Sequence, residues 1–301
     1  MRELGPDVEA VTLRDYMRGD WSWKIPVVTA GSLDAYLALA EQSQVAGEYV
    51  TLFRGQTRDY LDDRTGISFL PAAFRTRESA SEWMLPRFSE EMQRGVTVWL
   101  DCLEEHGIVS RFVDPRASAQ ILRTPEILAV MKHYGFPTPS LDASADPLVA
   151  LWFATHNAVC TANRWSHEPF VRPGPGSETT DLPSVYVFQQ RIDEQDVPVV
   201  DLRGLEALRD VAERPFAQTA FGLPFEWIDH SFSDRIEGGL GLTSSTEYRY
   251  PSVLIKIDFG ADELLARQPD LSARTLFPPD DPIYRALLES RAPQLAVYAE
   301  S

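Results

Sequence analysis

Apolar residues recur at helical spacing over residues 33–40, at Leu33, Tyr36, Leu37 and Ala40, with Ser32 placed as an N-cap. The period then changes. Tyr49-Val-Thr-Leu-Phe predicts a strand that ends at the polar break Arg54-Gly55-Gln56. A helical pattern returns over residues 79–111 through Trp83, Phe88, Met92, Trp99, Leu100 and Leu103, and Gly107 marks its stop. Pro86 sets the first part of that stretch apart as a turn or short helix. Residues 126–134 predict a short amphipathic helix closed by Gly135 and Pro137. Residues 147–158 predict another, with Pro147 suited to its first turn. An extended Ser140-Leu141 step and Asp142-Ala143-Ser144 lie between them. Val185-Tyr-Val-Phe and Val253-Leu-Ile-Lys-Ile-Asp-Phe predict two strong strands.

Two stretches lack such periods. Residues 1–30 mix Pro, Trp and charge and read as an irregular lead-in. Residues 164–183 are rich in Pro, Gly, Ser and Thr and read as a surface loop within a single domain over residues 31–301. Helices and strands interleave without a βαβ beat, which predicts an α+β fold rather than a doubly wound sheet.

Composition narrows the classes. The chain has 301 residues, 44% hydrophobic and 24% charged, which is globular rather than disordered. No apolar run is long enough to span a bilayer, and the N-terminus carries charges of both signs with no apolar segment of a secretory signal. Two cysteines, Cys102 and Cys160, cannot build a disulfide framework. The expectation is a cytoplasmic protein without a membrane partner. The formal charge of −17 repels polyphosphate at long range, so generic nucleic-acid binding is disfavoured.

Several chemistries lack their signatures. The five histidines show neither HExxH spacing nor a thiolate partner, so no metal site is expected. No Walker loop, no GxGxxG after a strand and no nucleophile-elbow sequence is present.

Three pieces of sequence carry a resemblance. The first is Leu52-Phe53-Arg54-Gly55-Gln56. The second runs from Met131 to Ala154 and contains His133-Tyr-Gly-Phe-Pro-Thr138, Leu141-Asp-Ala-Ser144 and a Pro147-led helix ending in Trp152-Phe-Ala. The third is Arg214-Pro-Phe-Ala-Gln218, with Leu276-Phe-Pro-Pro-Asp280 further on. Together they resemble the FRG-domain family over roughly residues 30–290. The chain departs from the family pattern at Asp142-Ala143-Ser144, where Asp-Trp-Thr is usual, and at Thr138-Pro-Ser-Leu-Asp142, where Thr-Arg-Leu-Leu-Asp is usual.

The arrangement is also remotely similar to the ADP-ribosyltransferase architecture, which implies a mixed, split sheet with flanking helices. In that analogy Arg54 and Gly55 take the place of the strand-borne Arg near Gly. Thr138 to Ser144, leading into the Pro147 helix, takes the place of the Ser/Thr strand. The late-strand glutamate has one nominee, Glu247 in Ser244-Ser-Thr-Glu, which equally fits a turn or a capping box.

NAD, as substrate, supplies the physical case. A bidentate Arg54 suits phosphate or ribose oxygens, Gly55 and Gln56 adjoin it, and Tyr134 can stack on a flat ring. His133 would line the cofactor, and Thr138 or Ser144 can hydrogen-bond ribose hydroxyls or the carboxamide. Cleaving the glycosidic bond forms an oxocarbenium-like centre, which Asp142 would stabilise and which Ser144 and Gln218 would help polarise, with Gln218 a hydrogen-bonding substitute for the late-strand acid. The resulting expectation is NAD-dependent ADP-ribosyl transfer or NAD cleavage, as a bacterial toxin or anti-phage effector. An unknown acceptor macromolecule and an inhibitory partner protein would accompany it. The alternatives are a non-catalytic nucleotide- or peptide-binding module and a metal-dependent nuclease or hydrolase around Asp142. Each residue also has a plain role: His133 as a protonated helix C-cap, Tyr134 as core, and Asp142 or Asp146 as cap of the Pro147 helix.

Overall fold

The computed structural model describes residues 8–18, 21–45, 47, 49–58, 86–114, 119–120, 122, 124–138, 140–161, 164–170, 182–191, 199–224 and 251–290. Contacts divide the chain into two compact units, each assembled from three stretches. The first comprises residues 1–69, 143–193 and 247–275; the second comprises residues 70–142, 194–246 and 276–301.

The first unit is a mixed sheet with helices. β1 (Val8–Arg18) and β2 (Trp21–Ala30) form an antiparallel hairpin, and β2 runs parallel to β12 (Val253–Ile257). β9 (Ser184–Arg191) is antiparallel to β12 on one side and to β3 (Tyr49–Gln56) on the other. Ser144, the last residue of β6 (Ser140–Ser144), pairs with Phe53. A second hairpin joins β7 (His156–Thr161) to β8 (Arg164–Pro169).

Three helices accompany this sheet: α1 (Leu33–Gln42), α4 (Pro147–Thr155) and α6 (Ala261–Arg267). The Ser32 hydroxyl accepts from the Ala35 amide at 3.2 Å and caps α1, as the sequence predicts. Asp146, not Asp142, caps α4, accepting from the Leu148 amide at 2.8 Å. α4 buries Val149, Ala150, Leu151, Trp152 and Ala154, and the Tyr36 hydroxyl of α1 donates to the Pro147 carbonyl at 2.6 Å.

The second unit is mainly helical: α2 (Pro86–Glu104), α3 (Thr124–His133), α5 (Glu213–Ala217) and α8 (Pro282–Glu289), with Leu276, the end of α7 (Ala273–Leu276), at its border. Two short antiparallel pairs complete it, β4 (Val113–Asp114) with β5 (Ala119–Gln120) and β10 (Val200–Asp201) with β11 (Ala220–Pro224). Its core includes Trp99, Leu103, Phe112, Leu128, Val130, Phe136, Leu202 and Ile283. Trp99 meets Phe112 and Phe136 edge-on at 4.9 and 6.3 Å, a favoured aromatic geometry.

The fold is α+β with a mixed sheet and flanking helices. Among the described residues no helix is long and apolar enough to cross a membrane. Two sequence expectations change. Residues 8–30 contain a hairpin rather than an irregular lead-in, because β2 gains parallel pairing from β12, more than 200 residues away, from Leu254↔Val27 to Ile257↔Ala30. Residues 164–169 are a strand rather than a loop, because the helix stops short of residue 158 and β7, beginning at His156, offers a partner.

Candidate functional site

In the first unit, strand alternation places Leu52, Arg54 and Gln56 on one face of β3 and Phe53 and Gly55 on the other. Gly55 is there for packing. A Cβ at this position would collide with the Ala150 carbonyl oxygen and lie 2.6 Å from the Ala154 nitrogen, so α4 sits directly on the strand. Arg54 and Gln56 are both buried, opposite Tyr186 and Ser184 of β9. Lys256 of β12 is also opposite Ser184 and donates to its hydroxyl at 2.9 Å. Gln56, Ser184 and Lys256 thus form a buried polar row across three strands. The sequence did not single out Ser184 or Lys256; the signal was a lysine inside the apolar run Val253-Leu-Ile-Lys-Ile. The Ser144 hydroxyl accepts from the Asp146 amide at 3.0 Å, a turn that leads β6 into α4.

The second unit brings the remaining described motif residues together. α3 ends at His133, and Gly135 follows with φ +88°, a left-handed closure that glycine adopts at little cost. The Gly135 and Phe136 amides return to the Lys132 and Met131 carbonyls at 3.1 and 3.2 Å. α5 delivers Gln218 as its C-cap, and Thr219 adopts φ +48°, an uncommon conformation for a β-branched residue. The His133 Nδ1 and Gln218 Oε1 atoms are 2.9 Å apart, and Gln218 Nε2 donates to the Leu276 carbonyl at 2.9 Å. Two of the sequence pieces meet through this side-chain pair, whose members are 85 positions apart.

Beside it lies a knot on Asp281, which is fully buried. Its carboxylate accepts from the Tyr134 hydroxyl at 2.8 Å, the Arg214 amide at 2.9 Å and the Tyr284 amide at 2.8 Å, capping α8. The Arg214 guanidinium lies 3.8 Å from the Tyr284 ring centre, 5.3 Å from Phe277 and 5.4 Å from Tyr134. The Arg of the third sequence piece is therefore an aromatic-packed brace. Tyr134 is tied into the same knot by both its hydroxyl and its ring. Asp281 escaped the sequence reading, although its place before Pro282 is an ordinary N-cap signal.

Burial pushes the His133 ring below the usual histidine range. The Asp142 carboxylate and the Gln218 hydrogen bond oppose this, while the charges of Lys132 and Arg214 add to it. The ring is neutral at pH 7, so the protonated C-cap reading gives way to a neutral imidazole. Asp142 on β6 is partly exposed and 3.8 Å from the Lys132 ammonium. His133 Nε2 and Thr138 Oγ1 are buried without a hydrogen-bond partner. Such atoms are costly in a native protein, about 1–3 kcal/mol each, unless a ligand or water completes them.

Arg54, Gly55, Gln56 and Ser144 belong to the first unit; His133, Tyr134, Thr138, Asp142 and Gln218 belong to the second. Glu247 lies outside the described residues. Among the described residues no group of three His, Cys, Asp or Glu side chains forms a candidate metal cluster.

Residues 50–162 match the family model of the FRG domain. The comparisons with curated proteins and with solved structures return no match. The matched stretch includes Arg54, His133 and Asp142, while Arg214, Gln218 and Asp281 lie beyond it.

Proposed function

We propose that this chain cleaves the nicotinamide–ribose bond of NAD, transferring ADP-ribose to a macromolecular acceptor or to water. The observation that carries this reading is that, in the second unit, a partly exposed carboxylate, Asp142, acts electrostatically on a buried imidazole, His133. Bond cleavage sends the electron pair to the departing nicotinamide and leaves positive charge on the anomeric carbon. A fixed carboxylate lowers the barrier to that charge. Asp142 fills that role, and Thr138, with its buried unbonded hydroxyl, is suited to a ribose hydroxyl. Tyr134 and Gln218 act by position: Tyr134 through Asp281, Gln218 through His133. The FRG-domain match supports the reading. A role as toxin or anti-phage effector, with an inhibitory partner, follows from that family context and is part of the proposal.

The test is nicotinamide release from NAD by purified protein, with and without cell lysate as acceptor. Release alone marks a glycohydrolase, and release only with lysate marks a transferase. Asp142→Asn should lower the rate at least about a hundredfold, as loss of a transition-state charge partner does. Arg54→Lys tests separately the orienting role expected of the first unit. No release under either condition, with the fold intact, sinks the proposal.

One observation favours a second reading, a binding module without turnover. Asp142, the carboxylate that turnover would require, is already 3.8 Å from the Lys132 ammonium. NAD binding without release would select it.

A further inference from the structure

Gln218 decides which nitrogen of His133 carries the proton. A carbonyl oxygen only accepts, so the Gln218 group facing the Leu276 carbonyl at 2.9 Å is its NH2. Its oxygen therefore faces His133 Nδ1 at 2.9 Å, and that nitrogen must be the donor. In a neutral imidazole the other nitrogen, Nε2, then carries a bare lone pair. This atom is buried and has no hydrogen-bond partner. Thr138 Oγ1, five residues on in the same stretch, is a second buried polar atom without a partner. Both atoms come from the stretch that leads from α3 towards β6, and each is left without a protein partner.

We propose that His133 Nε2 is a ligand-binding acceptor, held bare by Gln218, that takes an O–H or N–H donor of a nucleotide-type ligand. The identity of that ligand rests on the NAD reading; the acceptor site does not. Gln218 is a positioning residue. A neutral lone pair accepts a hydroxyl or carboxamide hydrogen and offers nothing to a phosphate or carboxylate oxygen, so the site selects the uncharged polar part of its ligand. Lys132, Asp142 and Arg214 are the charged groups that act on the ring. Asp142 favours its protonated form, while Lys132 and Arg214 oppose it together with burial. Protonating Nε2 turns the acceptor into a donor, so ligand binding should fall as pH drops through the lowered histidine range.

Long-range proton–nitrogen correlation on the wild-type protein reads the tautomer directly and needs no variant. The expected result at pH 7 is a protonated Nδ1 and an unprotonated Nε2. An Nε2–H tautomer or an imidazolium at pH 7 overturns the proposal. Three probes then follow: nicotinamide, which offers only carboxamide hydrogens, ADP-ribose, which offers ribose hydroxyls and the adenine amine, and NAD, which offers all three. At least one should move the Nε2 resonance, and which one does so separates the carboxamide from the ADP-ribose donors. If none moves it, the atom holds water alone and the proposal is wrong.

In Gln218→Glu the new carboxylate should hold the ring as imidazolium at neutral pH. Binding of the responding probe should weaken about tenfold, the equivalent of one hydrogen bond, and recover at higher pH. A merely structural Gln218 would shift affinity without shifting that pH profile. A response to nicotinamide or ADP-ribose with no NAD binding would end the NAD reading while leaving the acceptor in place.

Discussion

Asp281 shows how much one side chain can hold. Its carboxylate is fully buried and accepts three hydrogen bonds, from Tyr134, Arg214 and Tyr284. Asp281→Ala would leave the Tyr134 hydroxyl and two amides unsatisfied, a loss of about 3–5 kcal/mol. Asp281→Asn keeps one of the two acceptor oxygens and turns the other into a donor, so it should cost somewhat less than the alanine change, and urea unfolding separates the two. His133 makes a pH-dependent contribution. Its folded-state pKa is lowered chiefly by burial, so the unfolded state binds the proton first as pH falls. Stability is therefore complete above the unfolded value of about 6.5 and declines as pH falls from there toward the folded value. In His133→Gln that decline should be shallower, measured as unfolding free energy between neutral and mildly acidic pH. These roles were only half legible in the sequence. The His-Tyr-Gly and Arg-x-x-Ala-Gln pieces stand out as strings, but a string cannot show that Gln218 bonds His133 or that three rings surround Arg214. Those contacts bridge about 60 to 85 positions of chain and depend on packing.

At the scale of elements, local signals succeeded wherever caps and periods agreed. Ser32 and α1, Gly135 at the end of α3, Pro147 at the start of α4, and the apolar strands β9 and β12 all fall where side-chain chemistry alone puts them. The β1–β2 hairpin was missed because its pairing is long-range. The alternation Trp21, Trp23, Ile25, Val27 was a usable strand signal, masked by Pro26. Pro26 is tolerated because the parallel ladder with β12 begins one residue later, at Val27. Two glycines make a contrasting pair of tests. Gly55→Ala places a methyl group against the α4 backbone, which cannot move aside as a side chain can, and should destabilise by at least about 1–3 kcal/mol. Gly95 lies inside α2, and a methyl group added there would have nothing within 4 Å, so Gly95→Ala should stabilise by about 0.5–1 kcal/mol. Thermal unfolding of both variants checks the opposite signs.

At the scale of the whole molecule, the order of the chain matters more than any motif. Each unit is built from three separated stretches, so no single cut leaves either complete. The family match covers residues 50–162, yet β3, all but its first residue within the match, pairs along its length, Tyr49↔Arg191 to Gln56↔Ser184, with β9 beyond it. α3 within it packs in a core that takes Val200, Leu202, Leu208, Ala220 and Ile283 from later stretches. His133 loses Gln218, and Tyr134 loses Asp281, when the chain stops at residue 162. A fragment of residues 50–162 would thus carry the recognisable sequence with an unpaired strand edge and exposed apolar faces, and such chains aggregate rather than fold. The expected outcome is an insoluble fragment, or one whose amide spectrum shows collapsed dispersion, while the full chain gives a dispersed spectrum. A folded fragment would mean that the later stretches only decorate the core.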